Sequence, residues 1–300
     1  MANTVRPQRG LPAVLALTLA AALLVLGPLR PAVALAADAA HGALRAADRE
    51  RVRLQVASWP RMSGSGFTLY YAPGLSADAA VVAAAVRADY PRVMADFGLS
   101  VHAVGAQIVV VDPAQMAAFV GAASSDPPLG AYYEGTVWLL APSAFLPPGP
   151  DLAAQYLQQG PAAHELTHLA DDLRSGGTVP VWFDEGLAQY EDWRLTGYVW
   201  TEPDSGFTGP VYSWTQLTRG FTGLPNVALA YRQALAAVAS VCRSGPGACA
   251  GVLADLRAGQ SMDTALSHTV GAAGLKALRS GAAWRPGHAP QPGTPAGPLP

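Results

Sequence analysis

The sequence predicts a mixed α+β protein, in which a group of strands precedes a mainly helical second half. Three observations predict this class. Strand patterns alternate with helix patterns over the first 140 residues, and helix patterns dominate the rest. Hydrophobic residues make up 51% of the 300 residues, which is ample for a large core. A chain of this length forms one large domain or two small ones.

The first 36 residues have the pattern of a secretory signal peptide. Arg6 and Arg9 form a basic start, and an almost unbroken apolar run of sixteen residues extends from Leu11 to Leu26. Small residues of the A-x-A type follow, and we predict cleavage after Ala36. An uncleaved membrane anchor is the alternative, but a spanning helix needs about 20 apolar residues. We therefore expect a secreted or periplasmic protein without a membrane span after cleavage.

The charge of the chain argues against nucleic acid as a partner. Cleavage would remove three arginines and no acids, which leaves 16 basic and 21 acidic residues and a formal charge of −5. Lys276 is the single lysine of the sequence, and no basic stripe is visible. No pattern in the chain specifies an oligomeric state.

Each element of the first half is predicted by its own pattern. Residues 37–65 form a lead-in that is rich in alanine and arginine and helical to about Pro60. Alternation and aromatic residues predict a strand at Gly66–Tyr71. A long alanine and valine pattern predicts a helix at Ser76–Phe97, with Ser76 as its cap.

The next elements continue this alternation. A buried strand is predicted at Ala106–Asp112, a short helix at Pro113–Val120, and a third strand at Gly135–Leu140. Because strands and helices alternate, we expect an α/β layer ahead of the helices that follow.

The second half is predicted to be helical. One helix runs from about Asp151 or Pro161 to Leu173, where Gly176 and Gly177 stop it, and another begins near Phe183. Beyond a connection rich in Trp, Tyr, Gly and Pro, three more helices are predicted near Asn226–Cys242, Cys249–Ala258 and Met262–Trp284. Residues 285–300 are rich in Pro and Gly and predict a disordered tail.

The two cysteines are separated by six residues. Export would place Cys242 and Cys249 in an oxidising compartment, where we expect them to form a disulfide. We do not expect them to bind zinc, because no second Cys or His pair lies near them in the sequence.

The most informative stretch of the sequence is HELTH, at residues 164–168. On a helix, His164 and His168 lie about one turn apart on the same face, so both can bind one metal ion. Glu165 projects to the side, where it can reach a water molecule at the metal and act as its general base. Glu185, seventeen residues past the second histidine, adds a carboxylate. Two imidazoles and one carboxylate leave a fourth tetrahedral position open, which is typical of catalytic zinc.

An ordinary polar helix face is the alternative interpretation of HELTH. The chain contains only six histidines, so this spacing rarely arises by chance. Leu166, Leu169 and Ala170 supply the apolar positions of a helix that faces a core, which suits a buried site.

These residues resemble the gluzincin metallopeptidases, and more closely the peptidase MA-like domain family found in many secreted bacterial proteins. The shared points are HELTH, Val179-Pro180-Val181-Trp182, Glu185-Gly186-Leu187-Ala188, Ala230-Tyr231, Leu253, Leu256, Gly259, Ala265-Leu266 and Trp284. The resemblance covers roughly residues 66–284, which we expect to form the metallopeptidase domain. It implies Zn²⁺ bound by His164, His168 and Glu185, with Glu165 as the base.

The resemblance also implies a fold and an activity. The fold is zincin-like: a small mixed β-sheet subdomain packs on a mainly helical subdomain, with the metal site in the cleft. The activity is hydrolysis of peptide bonds in a peptide or protein substrate. We expect the strand at residues 135–140 to align an extended substrate by main-chain pairing. The alternative is a secreted module that keeps the fold and the metal but is catalytically inactive and acts in binding or as a structural domain.

Four further residues are candidates on weaker patterns. In related gluzincins a downstream tyrosine stabilises the oxyanion, and Tyr231 is the candidate because it begins a helix that could return to the cleft. Tyr212 is the runner-up, and a core tyrosine with a satisfied hydroxyl is the structural alternative. Asp171 and Asp172, three and four residues past His168, are candidate acceptors for a ligand imidazole N–H, or else they solvate the helix end.

Residues 130–135 loosely resemble the substrate-binding strand of aminopeptidase N-type enzymes, in which a glutamate binds the free amine. Glu134 would take that role here. The spacing departs from the family's by one residue, and a glycine stands where an asparagine is expected.

Overall fold

The computed structural model describes residues 30–121, 127–202, 206–207, 210–282 and 290. Most of the predicted signal peptide, the predicted tail apart from Pro290, and Trp284 lie outside these residues. Within the described ranges, none of the helices combines the length and the apolar character that a membrane span requires.

The described residues belong to the α+β class, as predicted. The helices are α1 (Arg30–Gln55), α2 (Ser76–Asp96), α3 (Val101–Val104), α4 (Pro113–Val120), α5 (Leu152–Gln159), α6 (Ala162–Ser175), α7 (Val181–Thr196), α8 (Trp214–Gly220), α9 (Val227–Cys242), α10 (Ala248–Arg257) and α11 (Met262–Arg279). The strands are β1 (Arg61–Gly64), β2 (Phe67–Tyr71), β3 (Ala106–Val111), β4 (Gly130–Tyr133) and β5 (Thr136–Leu140). Short 3₁₀ turns lie at Pro142–Ala144 and Phe221–Gly223.

The five strands form one mixed sheet in the order β1-β2-β3-β5-β4. The inner strands β2, β3 and β5 run parallel, with Leu69 opposite Ile108 and Ile108 opposite Val137. The outer strands β1 and β4 pair antiparallel with their neighbours. The helices that cross between the parallel strands cover the sheet, as parallel pairing requires.

The two outer strands are absent from the sequence prediction. Each has four residues, and neither contains a fully buried position, so neither shows the apolar alternation by which a strand is recognised. The predicted third strand begins one residue later than expected, because Gly135 forms the turn between β4 and β5 with a positive φ of 86°.

Each face of the sheet has its own core. Leu69, Ile108 and Leu139 belong to the main core, which continues into α2, α6 and α7. On the opposite face, the end of α1 and α4 cover a smaller cluster, in which Phe119 stacks on Trp138 with 4.1 Å between ring centroids. The sheet is therefore buried on both sides.

The helix boundaries refine several predictions. Ser76 is the first residue of α2 rather than its cap, since Leu75 precedes the helix and makes no side-chain cap. Asp151 and Pro161 are the two alternative starts predicted for the helix that contains HELTH. They precede two separate helices, because Gly160 is extended and separates α5 from α6. Gly176 ends α6 with a left-handed φ of 67°.

The helices behind the sheet pack closely. A Cβ on Gly186 of α7 would lie 2.8 Å from the Ala234 carbonyl oxygen of α9, so only glycine allows the two helices this approach. Cys242 and Cys249 are joined in a disulfide that links α9 to the start of α10.

Helix α1 docks across the back of α6. His41 Nε2 lies 2.5 Å from one carboxylate oxygen of Asp172, and Arg45 donates to the other at 3.0 Å. Asp38 accepts from Arg257 at 2.8 Å. The helix passes through the predicted cleavage point after Ala36, and these contacts begin two residues beyond it.

Candidate metal centre

Helices α6 and α7 bring the three predicted metal ligands together. His164 and His168 lie one turn apart on α6, with 4.8 Å between ring centroids. The chain reverses direction after α6, so the start of α7, which carries Glu185, lies beside these rings. The Glu185 Oε2 atom is 3.3 Å from His164 Nε2 and 3.6 Å from His168 Nε2. All three side chains therefore direct one donor atom at a common point.

The donor atoms fit a metal ion such as zinc. Ligand atoms that bind one tetrahedral zinc at 2.0–2.1 Å lie about 3.4 Å from each other, close to the two distances above. Glu185 Oε2 is buried and has no hydrogen-bond partner among the described residues. Because buried carboxylate oxygens are normally satisfied, a cation between the three side chains would supply the missing partner.

The electrostatics also favour positive charge at this point. Burial opposes the charged form of His164, but its contacts with Asp192 and Glu185 outweigh that effect and raise its pKa to about 10. Burial likewise disfavours the Glu185 carboxylate, yet the two imidazoles hold its pKa below the usual value. The carboxylates thus stabilise a cation where the imidazole nitrogens converge.

Two carboxylates of α7 orient the imidazoles. Asp184 Oδ1 lies 2.6 Å from Nδ1 of His168, and Asp192 Oδ2 lies 3.2 Å from Nδ1 of His164. Each carboxylate accepts a hydrogen bond from Nδ1–H and leaves Nε2 free to bind a metal, which is the usual support of a histidine ligand.

The prediction that Asp171 or Asp172 accepts these protons is wrong. Asp171 lies beside Asp184, and burial, followed by the charge of that carboxylate, raises the pKa of Asp171. Asp172 faces the other way, toward α1, and also accepts a hydrogen bond from the Tyr132 hydroxyl of β4. The Nδ1 atoms of the two rings instead face Asp184 and Asp192, which α7 brings to them, and Asp171 contacts the Asp184 carboxylate.

Glu165 lies between the metal ligands and the edge strand. Its side chain is buried, and burial, together with the nearby carboxylates, raises its pKa to about 7 against the opposing effect of the two imidazoles. Its carboxylate packs on Gly130 of β4, where a Cβ would lie 2.6 Å from Glu165 Cγ. The absence of a side chain at residue 130 therefore leaves the space that Glu165 occupies.

Tyr231 reaches the centre, and Tyr212 does not. The Tyr231 side chain lines the cleft beside Glu185, and burial, followed by the Glu185 charge, raises its pKa. The Tyr212 hydroxyl instead accepts the backbone N–H of Asn226 at 2.7 Å, at the start of α9. Tyr212 is therefore engaged at the start of α9 and is not among the residues that line the cleft, so this geometry does not support the runner-up assignment.

Glu134 lies outside the cleft. It occupies the turn between β4 and β5 with a positive φ of 42°, and its nearest charged neighbour is His41 at 4.0 Å. The residues of β4 that line the cleft are Gly130, Ala131 and Tyr132, and Glu134 is not among the lining residues. The role in binding a substrate amine therefore stays a prediction that this geometry does not support.

The metal centre opens into a cleft between β4 and the helices α6, α7 and α9. The part at the ligands measures about 410 Å³, and an adjoining arm measures about 520 Å³. Strand β4 is the edge of the sheet on this side, while β5 is paired on both sides. The strand predicted to align a substrate, at residues 135–140, therefore has no free edge.

Asp184, Asp192 and Gly130 lie at the site without having been predicted from the sequence. Asp184 directly precedes the predicted ligand Glu185, and this adjacency could have marked it as a residue of the site. Asp192 and Gly130 become neighbours of the site only through the tertiary fold. No protein family, curated protein or solved structure matched the chain when it was compared with them. What the protein does is therefore inferred from its own side chains and their geometry.

Proposed function

We propose that this protein is a zinc metallopeptidase, a hydrolase of peptide bonds. One observation carries the proposal: His164, His168 and Glu185 direct three donor atoms at one point, and the Glu165 carboxyl group stands beside it. Three protein ligands with an open fourth position are the arrangement of a catalytic zinc site rather than a structural one. A carboxyl group that does not itself ligate supplies the base that hydrolysis needs.

The architecture supports the finer assignment to a zincin-like fold of the peptidase MA-like type. A small mixed sheet packs on a mainly helical part, and its edge strand β4 lies along the metal helix α6. An extended peptide could add to the free edge of β4 by main-chain hydrogen bonds, which would hold a carbonyl group above the ligands.

Zinc, when bound by His164, His168 and Glu185, polarises the substrate carbonyl group and lowers the pKa of a water molecule. Proton transfer is carried out by a residue of the protein. Glu165 accepts a proton from the attacking water and then donates it to the leaving amine, and its raised pKa suits both transfers near neutral pH. The phenol O–H of Tyr231 donates a hydrogen bond to the carbonyl oxygen as negative charge develops there.

The disulfide and the leader support an extracytoplasmic location. Disulfides persist in oxidising compartments, and Cys242–Cys249 is closed in the structure. The first 36 residues have the pattern of an export signal, with a basic start, an apolar run and small residues at the end. We therefore propose that the protein acts on peptides or proteins outside the cytoplasm.

Glu165→Gln is the sharpest test of this function. The amide keeps the shape of the side chain but cannot accept a proton, so we expect zinc content to be unchanged and peptide hydrolysis to fall by several orders of magnitude. Metal analysis and cleavage of a fluorogenic peptide library measure the two quantities. Glu50→Gln, on the exposed surface of α1, is the matched control and should retain activity.

Chelation completes the test. We expect o-phenanthroline to abolish hydrolysis by the wild-type protein and added Zn²⁺ to restore it. A protein that binds zinc at these ligands but cleaves no member of the library would contradict the peptidase proposal and favour a zinc-binding module without catalysis.

A further inference from the structure

The arm of the cleft has an aromatic wall. Tyr198 and Trp200 follow α7, and Tyr231 faces them from α9. The rings of Trp200 and Tyr231 meet edge to face with 5.2 Å between centroids. Tyr231 in turn lies beside the ligand Glu185, so this wall begins at the metal centre and leads away from it.

A carboxylate lies beside this wall. Trp200 Nε1 donates to Glu202 Oε1 at 3.2 Å, and Glu202 lines the same arm. The arm's other two carboxylates, Glu165 and Asp192, belong to the candidate metal centre. Among the described residues that line the arm there is no Arg or Lys. A side chain that enters the arm can therefore contact both the aromatic rings and the Glu202 carboxylate.

We propose that this arm is a specificity pocket for a basic side chain, Arg or Lys, of the substrate. The aliphatic stem would pack on Trp200 and Tyr231, and the charged group would meet Glu202. Aromatic faces attract cations, and a carboxylate adds a charge-assisted hydrogen bond. An acidic side chain would be repelled by Glu202. This inference rests on the proposed peptidase function, because it names the substrate residue that the same cleft selects.

The volume and the wall agree with this occupant. About 520 Å³ is ample for one long side chain, and Leu129 and Val227 add apolar surface along the stem. A neutral apolar side chain of equal length would gain the wall contacts but not the contact with Glu202. The preference for a basic residue therefore depends on Glu202, and the affinity for a long side chain depends on Trp200.

Matched peptides test the proposal directly. The probes are pairs of fluorogenic peptides. One peptide of each pair carries arginine, and the other carries citrulline, the neutral isostere of arginine, at the same position. The pairs cover three positions on either side of the cleaved bond, one position at a time. We expect the wild-type protein to prefer arginine at one position by about tenfold in kcat/KM. Glu202→Gln should reduce this ratio to near one by slowing cleavage of the arginine peptide. Glu50→Gln should retain the preference.

Binding separates this inference from the proposed function. Calorimetric titration of the Glu165→Gln protein with the same two peptides needs no hydrolysis. Tighter binding of the arginine peptide, lost in the Glu165→Gln/Glu202→Gln double variant, supports the pocket even if the wild-type protein cleaves nothing. Equal binding and equal cleavage of arginine and citrulline peptides at every position would overturn it. A preference that survives Glu202→Gln would also overturn it.

Discussion

At the candidate metal centre, a carboxylate of α7 holds each of the two histidines. The His168 ring is fixed by Asp184 at 2.6 Å, and the His164 ring by Asp192 at 3.2 Å. Both carboxylates lie on α7, one before and one two turns after Glu185. A single helix therefore supplies the third ligand and orients the other two, so α6 and α7 must keep a fixed register for the site to exist.

Tyr231 is the residue whose role can be isolated most cleanly. If its phenol contacts the carbonyl oxygen only as charge develops, Tyr231→Phe should lower kcat and kcat/KM together by about 10²–10³-fold, with KM and zinc content nearly unchanged. The substitution deletes one oxygen and keeps the ring contacts with Trp200 and Phe221. Steady-state kinetics and metal analysis measure both effects.

Tyr212→Phe is the matched control. The Tyr212 hydroxyl accepts a hydrogen bond from the backbone N–H of Asn226. The variant should therefore remain active and lose only a modest amount of stability. Full activity of Tyr231→Phe would mean that the centre works without a phenol, and the proposed role would then be withdrawn.

At the scale of elements, the contact between α7 and α9 sets the position of the third ligand. Gly186 directly follows Glu185, and its missing side chain lets α9 approach to within contact of the α7 backbone. A methyl group at this position would meet both Val238 and the Ala234 carbonyl oxygen, and a backbone atom cannot move aside as a side-chain tip can.

Gly186→Ala should therefore destabilise the protein by about 1–3 kcal/mol through overpacking, and it should weaken zinc binding because Glu185 shifts with its neighbour. Urea denaturation and metal titration measure the two effects. Gly251→Ala in α10 is the matched control: a Cβ there has no neighbour within 4 Å, so helix propensity should stabilise the protein by up to about 1 kcal/mol. Equal effects of the two variants on stability and zinc binding would show that close packing at Gly186 does not determine either quantity.

The elements that the sequence predicts well are those with local patterns. The ligand helix α6 is recognised because His164 and His168 need only the periodicity of a helix to share a face. Strands β1 and β4 are missed because they are short and half-exposed, and their stability comes from pairing with distant residues. The acceptor role was assigned to Asp171 and Asp172 on spacing alone, whereas Asp184 and Asp192 reach the rings from another helix.

The same contrast applies to the residues around the cleft. The structure places Glu185 and Tyr231, both predicted from the resemblance, beside His164 and His168. Trp200 has no such pattern, and its contact with Tyr231 results from the tertiary fold. Gly130 belongs to a segment with a family resemblance, but its contact with Glu165 depends on the packing of the sheet edge against α6. Contacts that the tertiary fold creates were therefore not predictable from local patterns.

At the scale of the whole molecule, zinc binding and folding should be coupled. A ligand that binds only the folded state stabilises it by about 4 kcal/mol when its free concentration is a thousand times its dissociation constant. For a domain of this size, that corresponds to a shift in Tm on the order of 10 °C. We expect scanning calorimetry to show a fall of this order when a chelator removes the metal.

His168→Ala is the control for this measurement. Removal of one imidazole should abolish most zinc binding, so the variant should show a low Tm that the chelator no longer changes. If the chelator lowers the Tm of His168→Ala as much as that of the wild-type protein, the stabilising metal is bound elsewhere and the ligand assignment fails.

The docking of α1 on the back of α6 has a consequence for the order of folding. The bonds from His41 and Arg45 to Asp172 join residues 131 and 127 positions apart, and the bond from Arg257 to Asp38 closes 219 positions. The contacts of α1 with Asp172 can form once residue 172 has been made, whereas its contact with Arg257 must wait for residue 257, and contacts of long sequence separation carry the largest loop-closure cost. Asp172 also accepts a hydrogen bond from Tyr132, so this one carboxylate joins α1, α6 and the edge strand β4. A chain that ends before residue 257 would accordingly contain all three candidate metal ligands but lack the contact that ties α1 to α10.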